Sequence, residues 1–169
     1  LQIFERLALA RFETAWQLSH QQRVIYDLPC APDSATQTAR LAKIVGQEFV
    51  QHALHIQHES GDLRLRGGVA TPAFSSSQAN LQYFYLNGRF IRDKHITSAL
   101  KAAYQDVLHY SRYPAYVLYF ELPFDQVDVN AHPAKYEVRL QDSRRIFEFL
   151  RQTVSTVFAR PAGAFVSEA

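Results

Sequence analysis

The chain predicts an α+β fold: a two-layer sandwich in which a mostly antiparallel sheet carries helices on one face. Three observations carry this expectation. Short strands separated by polar turns come first, in hairpin-like pairs. Two nearly continuous apolar runs follow, residues 81–86 (LQYFYL) and 115–120 (AYVLYF), as in strands covered on both faces. Two segments with apolar residues at helical spacing complete the pattern, one between those runs and one near the end.

Taken in order, residues 3–10 (IFERLALA) read as the end of a helix. Phe12, Thr14, Trp16 and Leu18 then alternate with polar residues, the period-2 signal of a half-buried strand. Ser19 to Gln22 is polar, and Val24 to Leu28 supplies the second strand of a hairpin. Ser34 is expected to cap a helix running to about Val45, with Gly46 as its stop. Leu54 and Ile56 open another strand, Ser60-Gly61-Asp62 turns it, and Leu63, Leu65 and Val69 share one face of the next. The Pro- and Ser-rich stretch 71–80 reads as a loop.

After the first apolar run, Asn87-Gly88 marks a tight turn. Ile96, Ala99, Leu100, Ala103, Tyr104 and Val107 then define a helix. Beyond the second run, Val127 and Val129 begin a short strand stopped by Pro133, and Tyr136 to Leu140 forms another. Asp142 caps a last helix whose inner face is Ile146, Phe149, Leu150, Thr153, Val154 and Val157.

Composition sets bounds. With 169 residues, 47% of them apolar and 20% charged, one domain with a real core is expected. No apolar run approaches the roughly 20 residues a membrane span requires, and no signal-peptide pattern opens the chain. The chain begins at Leu1 and contains no methionine, so a piece of a longer protein is expected. Cys30 is the only cysteine, which excludes an internal disulfide and multi-cysteine zinc sites and fits a reducing cytoplasm. The net charge of +2 does not by itself imply nucleic acid. Apart from Lys43, Lys94, Lys101 and Lys135, every basic side chain other than histidine is arginine, which suits bidentate phosphate contacts.

Several chemistries can be set aside. There is no GxxxxGK, GxGxxG or GxSxG pattern, and Gly67-Gly68 is too slight to make a phosphate loop. Asp125 and Asp128 read as solvated loop carboxylates, because a perturbed pair needs burial. His52, His55 and His58 have metal-like spacing. A strand there would send His55 and His58 to opposite faces, so no metal site is expected.

The specific signal lies in two segments, residues 83–92 (YFYLNGRFIR) and 125–139 (DQVDVNAHPAKYEVR). A strand ending in Asn-Gly-Arg, then an amphipathic helix, a buried strand and an Asp-Val-Asn-x-His-Pro-x-Lys loop, resembles the MutL family of DNA mismatch repair proteins. The family's loop is usually written VDVNVHPAK, and Ala131 stands where valine is common. The resemblance covers residues 1–158. It implies the transducer domain that follows the ATP-binding domain in the N-terminal ATPase region, with residues 159–169 beginning the linker to a C-terminal dimerisation domain. The implied fold is that of the second domain of ribosomal small-subunit protein five, including a left-handed βαβ crossover that general handedness rules would not predict. The motifs that hold ATP and Mg2+ belong to the upstream domain and have no counterpart here, so this chain alone is expected to carry no cofactor and to be inactive.

The resemblance assigns Lys135 to the γ-phosphate of ATP bound in that upstream domain. The chemistry suits the role. Pro133 fixes its own φ and restricts His132, giving a stiff loop that can hold one lysine in place. The ammonium is a compact charge matched to a terminal phosphate, able to distinguish ATP from ADP and to offset charge developing in hydrolysis. Asp128, Asn130 and His132 are expected to brace the loop through backbone hydrogen bonds. Arg89, Arg92, Lys94 and Lys101 fall within thirteen residues with Asp93 as the only acid, a stretch suited to salt-sensitive phosphate contacts. The resemblance likewise puts the arginine of Asn-Gly-Arg in a DNA-binding groove. Contacts to the DNA backbone are expected, because Tyr83, Phe84 and Tyr85 read as core residues and leave no stacking platform.

The partners so implied are the upstream ATPase domain of the same chain, DNA, the mismatch recognition protein MutS with downstream repair factors, and a second copy in a full-length homodimer. No membrane is expected, and the implied location is the bacterial cytoplasm, at the nucleoid during repair. Two alternatives stay open: a topoisomerase-type transducer, whose switch lysine usually sits in a Gln-Thr-Lys loop absent here, and a nucleic-acid-binding module of the ribosomal type.

Overall fold

In the computed structural model, residues 1–74, 79–109, 111–129 and 136–159 are described. Three helices and two hairpins come first: α1 (Gln2–Ala10), β1 (Trp16–His20), β2 (Arg23–Leu28), α2 (Ser34–Ile44), α3 (Gln47–His52), β3 (Ala53–Ser60) and β4 (Leu63–Ala70). Then come β5 (Gln82–Leu86), β6 (Arg89–Ile91), α4 (Lys94–Ala103), β7 (Tyr116–Glu121), β8 (Val127–Asp128), β9 (Arg139–Leu140) and α5 (Ser143–Ala159). The central sheet has five strands in the order β3-β4-β7-β5-β6. All its pairings are antiparallel except β5 with β7, which run parallel and are joined through β6 and α4. The expected mostly antiparallel α+β fold is therefore present.

Alternation along the strands divides the apolar side chains between two cores. Ile56, Leu65, Phe84, Leu86, Leu118 and Phe120 face α4 and α5, where they meet Ile96, Leu100, Ile146, Leu150 and Val154. Tyr83, Tyr85 and Val117 point the other way and meet Ala8 and Leu9 of α1, Leu28 of β2, Ile44 of α2 and Phe49 of α3. Helices thus cover both faces, which corrects the expectation of helices on one face only. The reason lies in the two apolar runs: a strand apolar at every position must bury both sides, and a second layer is needed to do it.

Local details depart from the expectations in physically simple ways. The alternation at Phe12 and Thr14 belongs to a turn, and strand pairing begins only at Trp16. Asp33, not Ser34, caps α2: its carboxylate accepts the Thr36 N–H at 2.8 Å, and the Thr36 hydroxyl accepts the Asp33 N–H. Gly46, at φ +120°, does end that helix, but α3 begins at once behind it and was not anticipated. The next helix stops at Ala103, leaving Val107 outside it and 45% exposed. The strand expected over 136–140 is reduced to Arg139 and Leu140, paired with β8.

Gly67 accounts for the Gly-Gly pair. It sits in β4 at φ +131°, and a Cβ there would collide with the Val117 carbonyl oxygen of the neighbouring strand. The glycine allows β4 and β7 to approach, a packing role and not a phosphate cradle.

Candidate functional site

The two sequence motifs meet at the β5–β6–α4 edge of the sheet. Asn87 and Gly88 both have positive φ, 49° and 83°, the geometry of a type I′ hairpin turn. Asn87 ties that turn to the end of β7: its N–H donates to the Phe120 carbonyl at 2.9 Å, and its Oδ1 accepts the Leu122 N–H at 3.1 Å. At the other end of the hairpin, the Arg92 N–H donates to the Tyr136 carbonyl at 2.8 Å. Asp93 completes the junction. It is 5% exposed, its Oδ1 accepts the His95 and Ile96 N–H groups at the start of α4, and its Oδ2 accepts the Val138 N–H at 3.4 Å. One carboxylate therefore caps a helix and fastens the returning segment of the second motif.

Lys135, Asn130, His132 and Pro133 lie outside the described residues, so their expected roles are not addressed by the geometry. Asp128 is described: it is exposed, on β8, opposite Arg139. The residues that frame the loop are fixed. Gln126 N–H donates to the Pro123 carbonyl, the Gln126 carbonyl accepts the Gln141 N–H, and β8 pairs with β9.

Arg89, Arg92, Lys94 and Lys101 are all exposed along the same edge, from the hairpin turn to the last turn of α4. Arg89 lies in β6, Arg92 in the link that follows it, and Lys94 and Lys101 in the first and last turns of α4.

The histidines do separate jobs. His58 stacks on Phe149 of α5 at 5.7 Å, His52 stacks on Phe74 at 5.8 Å, and His55 is exposed. Among the described residues no group of three His, Cys, Asp or Glu side chains is placed to hold a metal ion. No helix of the described residues is long and apolar enough to cross a membrane.

Two residues at the junction were not singled out from the sequence. Asp93 could have been found from its place just before a helical periodicity. Arg6 carried no local signal. Its guanidinium lies 4.2 Å from the centre of the Phe90 ring and 5.7 Å from that of Tyr136, contacts across 84 and more residues of chain.

This architecture, with a mostly antiparallel sheet between two helical layers, has likenesses among solved structures. The N-terminal domain of a DNA repair protein superposes with a TM-score of 0.75 at 16% identity, covering 94% of this chain and 52% of that one. An Aquifex aeolicus MutL ATPase domain complexed with ADP gives 0.52 at 16% identity, over 90% of this chain and 45% of that one. At that identity the likeness is one of fold. Sequence goes further. Residues 41–159 match the family model described as DNA mismatch repair protein, C-terminal domain, and the chain belongs to that family. It is 46% identical over 158 residues to the DNA mismatch repair protein MutL of Cellvibrio japonicus, covering 94% of this chain. It spans only 25% of that relative's length.

Proposed function

We propose that this chain is the transducer of a MutL-type mismatch repair ATPase. In this reading Lys135 contacts the γ-phosphate of ATP held with Mg2+ by an upstream domain of the same protein. Asp128, Asn130, His132 and Pro133 keep its loop stiff. The observation that carries the proposal is the joining of the two motifs: Tyr136, immediately after Lys135, is hydrogen-bonded to Arg92, and Val138 to Asp93. The segment that follows the lysine, Tyr136 to Val138, is thereby attached to the edge that bears Arg89, Arg92, Lys94 and Lys101. Nucleotide state and DNA contact would then act on one structural unit.

The DNA contacts are proposed to be to the backbone, made by the exposed cations of β6 and α4. MutS, downstream repair factors and a second copy of the full-length protein are the further partners this reading implies, in the bacterial cytoplasm and at the nucleoid during repair. A topoisomerase-type role and a purely ribosomal type of nucleic-acid binding are less favoured, because 46% identity to a MutL extends over nearly the whole chain.

The test is Lys135→Ala in the full-length protein, with melting as the folding control. A hydrogen bond to a charged oxygen is worth roughly 1.5–3 kcal/mol, so turnover should fall on the order of 10- to 100-fold. A folded variant with wild-type turnover would refute the role.

A further inference from the structure

We propose that the outer edge of β3 is a self-complementary docking strand, at which a second copy of this chain pairs antiparallel about Gln57 to make one continuous sheet. The contact lies in the described sheet and is independent of the role proposed for Lys135.

The edge is open. β3 ends the five-stranded sheet, and no strand of the described residues pairs with its outer side. It is eight residues long and keeps unbroken register with β4, from Ala53 opposite Ala70 to Ser60 opposite Leu63. It holds no proline, lysine or bulge, the devices that usually guard an edge. The opposite edge strand, β6, has only three residues and offers little to pair with.

The phase of the edge is fixed. The Thr71 N–H donates to the His52 carbonyl at 2.9 Å, one step beyond the ladder. Main-chain groups alternate in direction along an antiparallel strand, so those of Leu54, Ile56, His58 and Ser60 turn toward β4. Those of Ala53, His55, Gln57 and Glu59 turn outward. A partner strand must therefore bond to the odd-numbered residues. Ile56 is buried against the helices and His58 stacks on Phe149 of α5, so the side chains of His55, Gln57 and Glu59 stand on the other face.

Those side chains select the partner. Two copies of β3, antiparallel with Gln57 opposite Gln57, set His55 of each against Glu59 of the other. An imidazole N–H then meets a carboxylate twice, and two amides meet at the axis. Glu59 has charge to offer: Arg64 is shared between it, at 2.9 Å, and Glu121, at 3.6 Å. A register centred on His55 would oppose two histidines, and one centred on Glu59 two carboxylates. The registers between leave His55 and Glu59 without an opposite charge. The Gln57 register also makes about six main-chain hydrogen bonds. Among the described residues, the groove beside the edge, between β3 and α5, is lined by no carboxylate, lysine or arginine that would oppose a second copy.

The experiment is sedimentation equilibrium of the 169-residue chain over a concentration series, with melting of each variant as the folding control. Wild type should pass from monomer to dimer as concentration rises. Gln57→Pro, which loses only an outward N–H, should melt normally and stay monomeric. His55→Glu sets like charges together and should weaken dimerisation about 10-fold; His55→Glu with Glu59→His should recover it. Cross-linking reads the register in a Cys30→Ser background, Cys30 being the only native cysteine. Gln57→Cys should form an intermolecular disulfide, because its two α carbons would lie about 5.5 Å apart. His55→Cys should not, its two copies lying more than about 13 Å apart. A wild type that stays monomeric at millimolar concentration overturns the proposal. A dimer that survives Gln57→Pro, or a cross-link at position 55 as fast as at 57, overturns it too by placing the contact elsewhere. Should Gln57→Pro fail to fold, His55→Glu and the cross-linking pair decide the question.

Discussion

At the scale of single residues, Arg40 shows how a buried charge is kept. It is 3% exposed, and no carboxylate of the described residues forms an ion pair with it. Its guanidinium donates instead to main-chain carbonyls: Ala8 at 3.0 Å, Arg11 at 2.9 Å, Thr14 at 2.9 Å, and Pro29. One side chain of α2 thus closes the end of α1, the turn before β1 and the exit of β2. Lysine cannot serve acceptors in so many directions. Arg40→Met should therefore cost about 2–4 kcal/mol, since it strands several buried acceptors, and the shift of a urea midpoint would measure it. A loss within the ~0.5 kcal/mol of an ordinary surface change would show that water replaces the clasp. Gly67 makes the opposite point. Its Gly67→Ala variant has no room beside Val117 and should fail to accumulate as soluble protein, whereas Gly68→Ala, where a Cβ would meet only ordinary contacts, should be tolerated.

At the scale of elements, the anchoring of α1 predicts a pH response. Burial pushes the Tyr83 hydroxyl up from its ordinary 10 to about 12, and those of Tyr85 and Tyr119 higher still. The folded chain keeps protons that the unfolded chain releases, so stability is complete below pH 10 and declines as pH rises through 12. Urea midpoints between pH 8 and 11 should be flat at first and then fall, with the tyrosinate absorbance of the folded protein lagging behind that of the unfolded one. Tyr85→Phe together with Tyr119→Phe should weaken the fall; an unchanged profile would place the titrating groups elsewhere. The elements themselves were mostly legible in the sequence, because strands and helices announce themselves by period: the two apolar runs became β5 and β7, and the spacing from Ile146 to Val157 became α5. The second helical layer was not legible. A strand apolar at every position tells that both faces are buried but not what covers them. The helix α3, at six residues, is too short to show a period. In the site, Asn-Gly and the run of cations could be read directly, but the contact of Arg6 with Tyr136 joins residues 130 positions apart and leaves no local mark.

At the scale of the whole molecule, the cations of β6 and α4 should act as a line of phosphate contacts. Arg89→Glu in the full-length protein should weaken binding to many DNA sequences alike and reduce the slope of log affinity against log salt by roughly 1. Unchanged affinity at low salt would take Arg89 out of the interface. The central claim is that Lys135 reads the nucleotide, and it is tested most directly by comparing two affinities in one folded variant. ADP and a non-hydrolysable ATP analogue differ by the γ-phosphate, which is the proposed partner of the lysine. Lys135→Ala in the full-length protein should therefore weaken the analogue by roughly 10-fold or more, the worth of a charge-assisted hydrogen bond, while ADP affinity stays close to wild type. Equal losses for the two ligands would contradict the account.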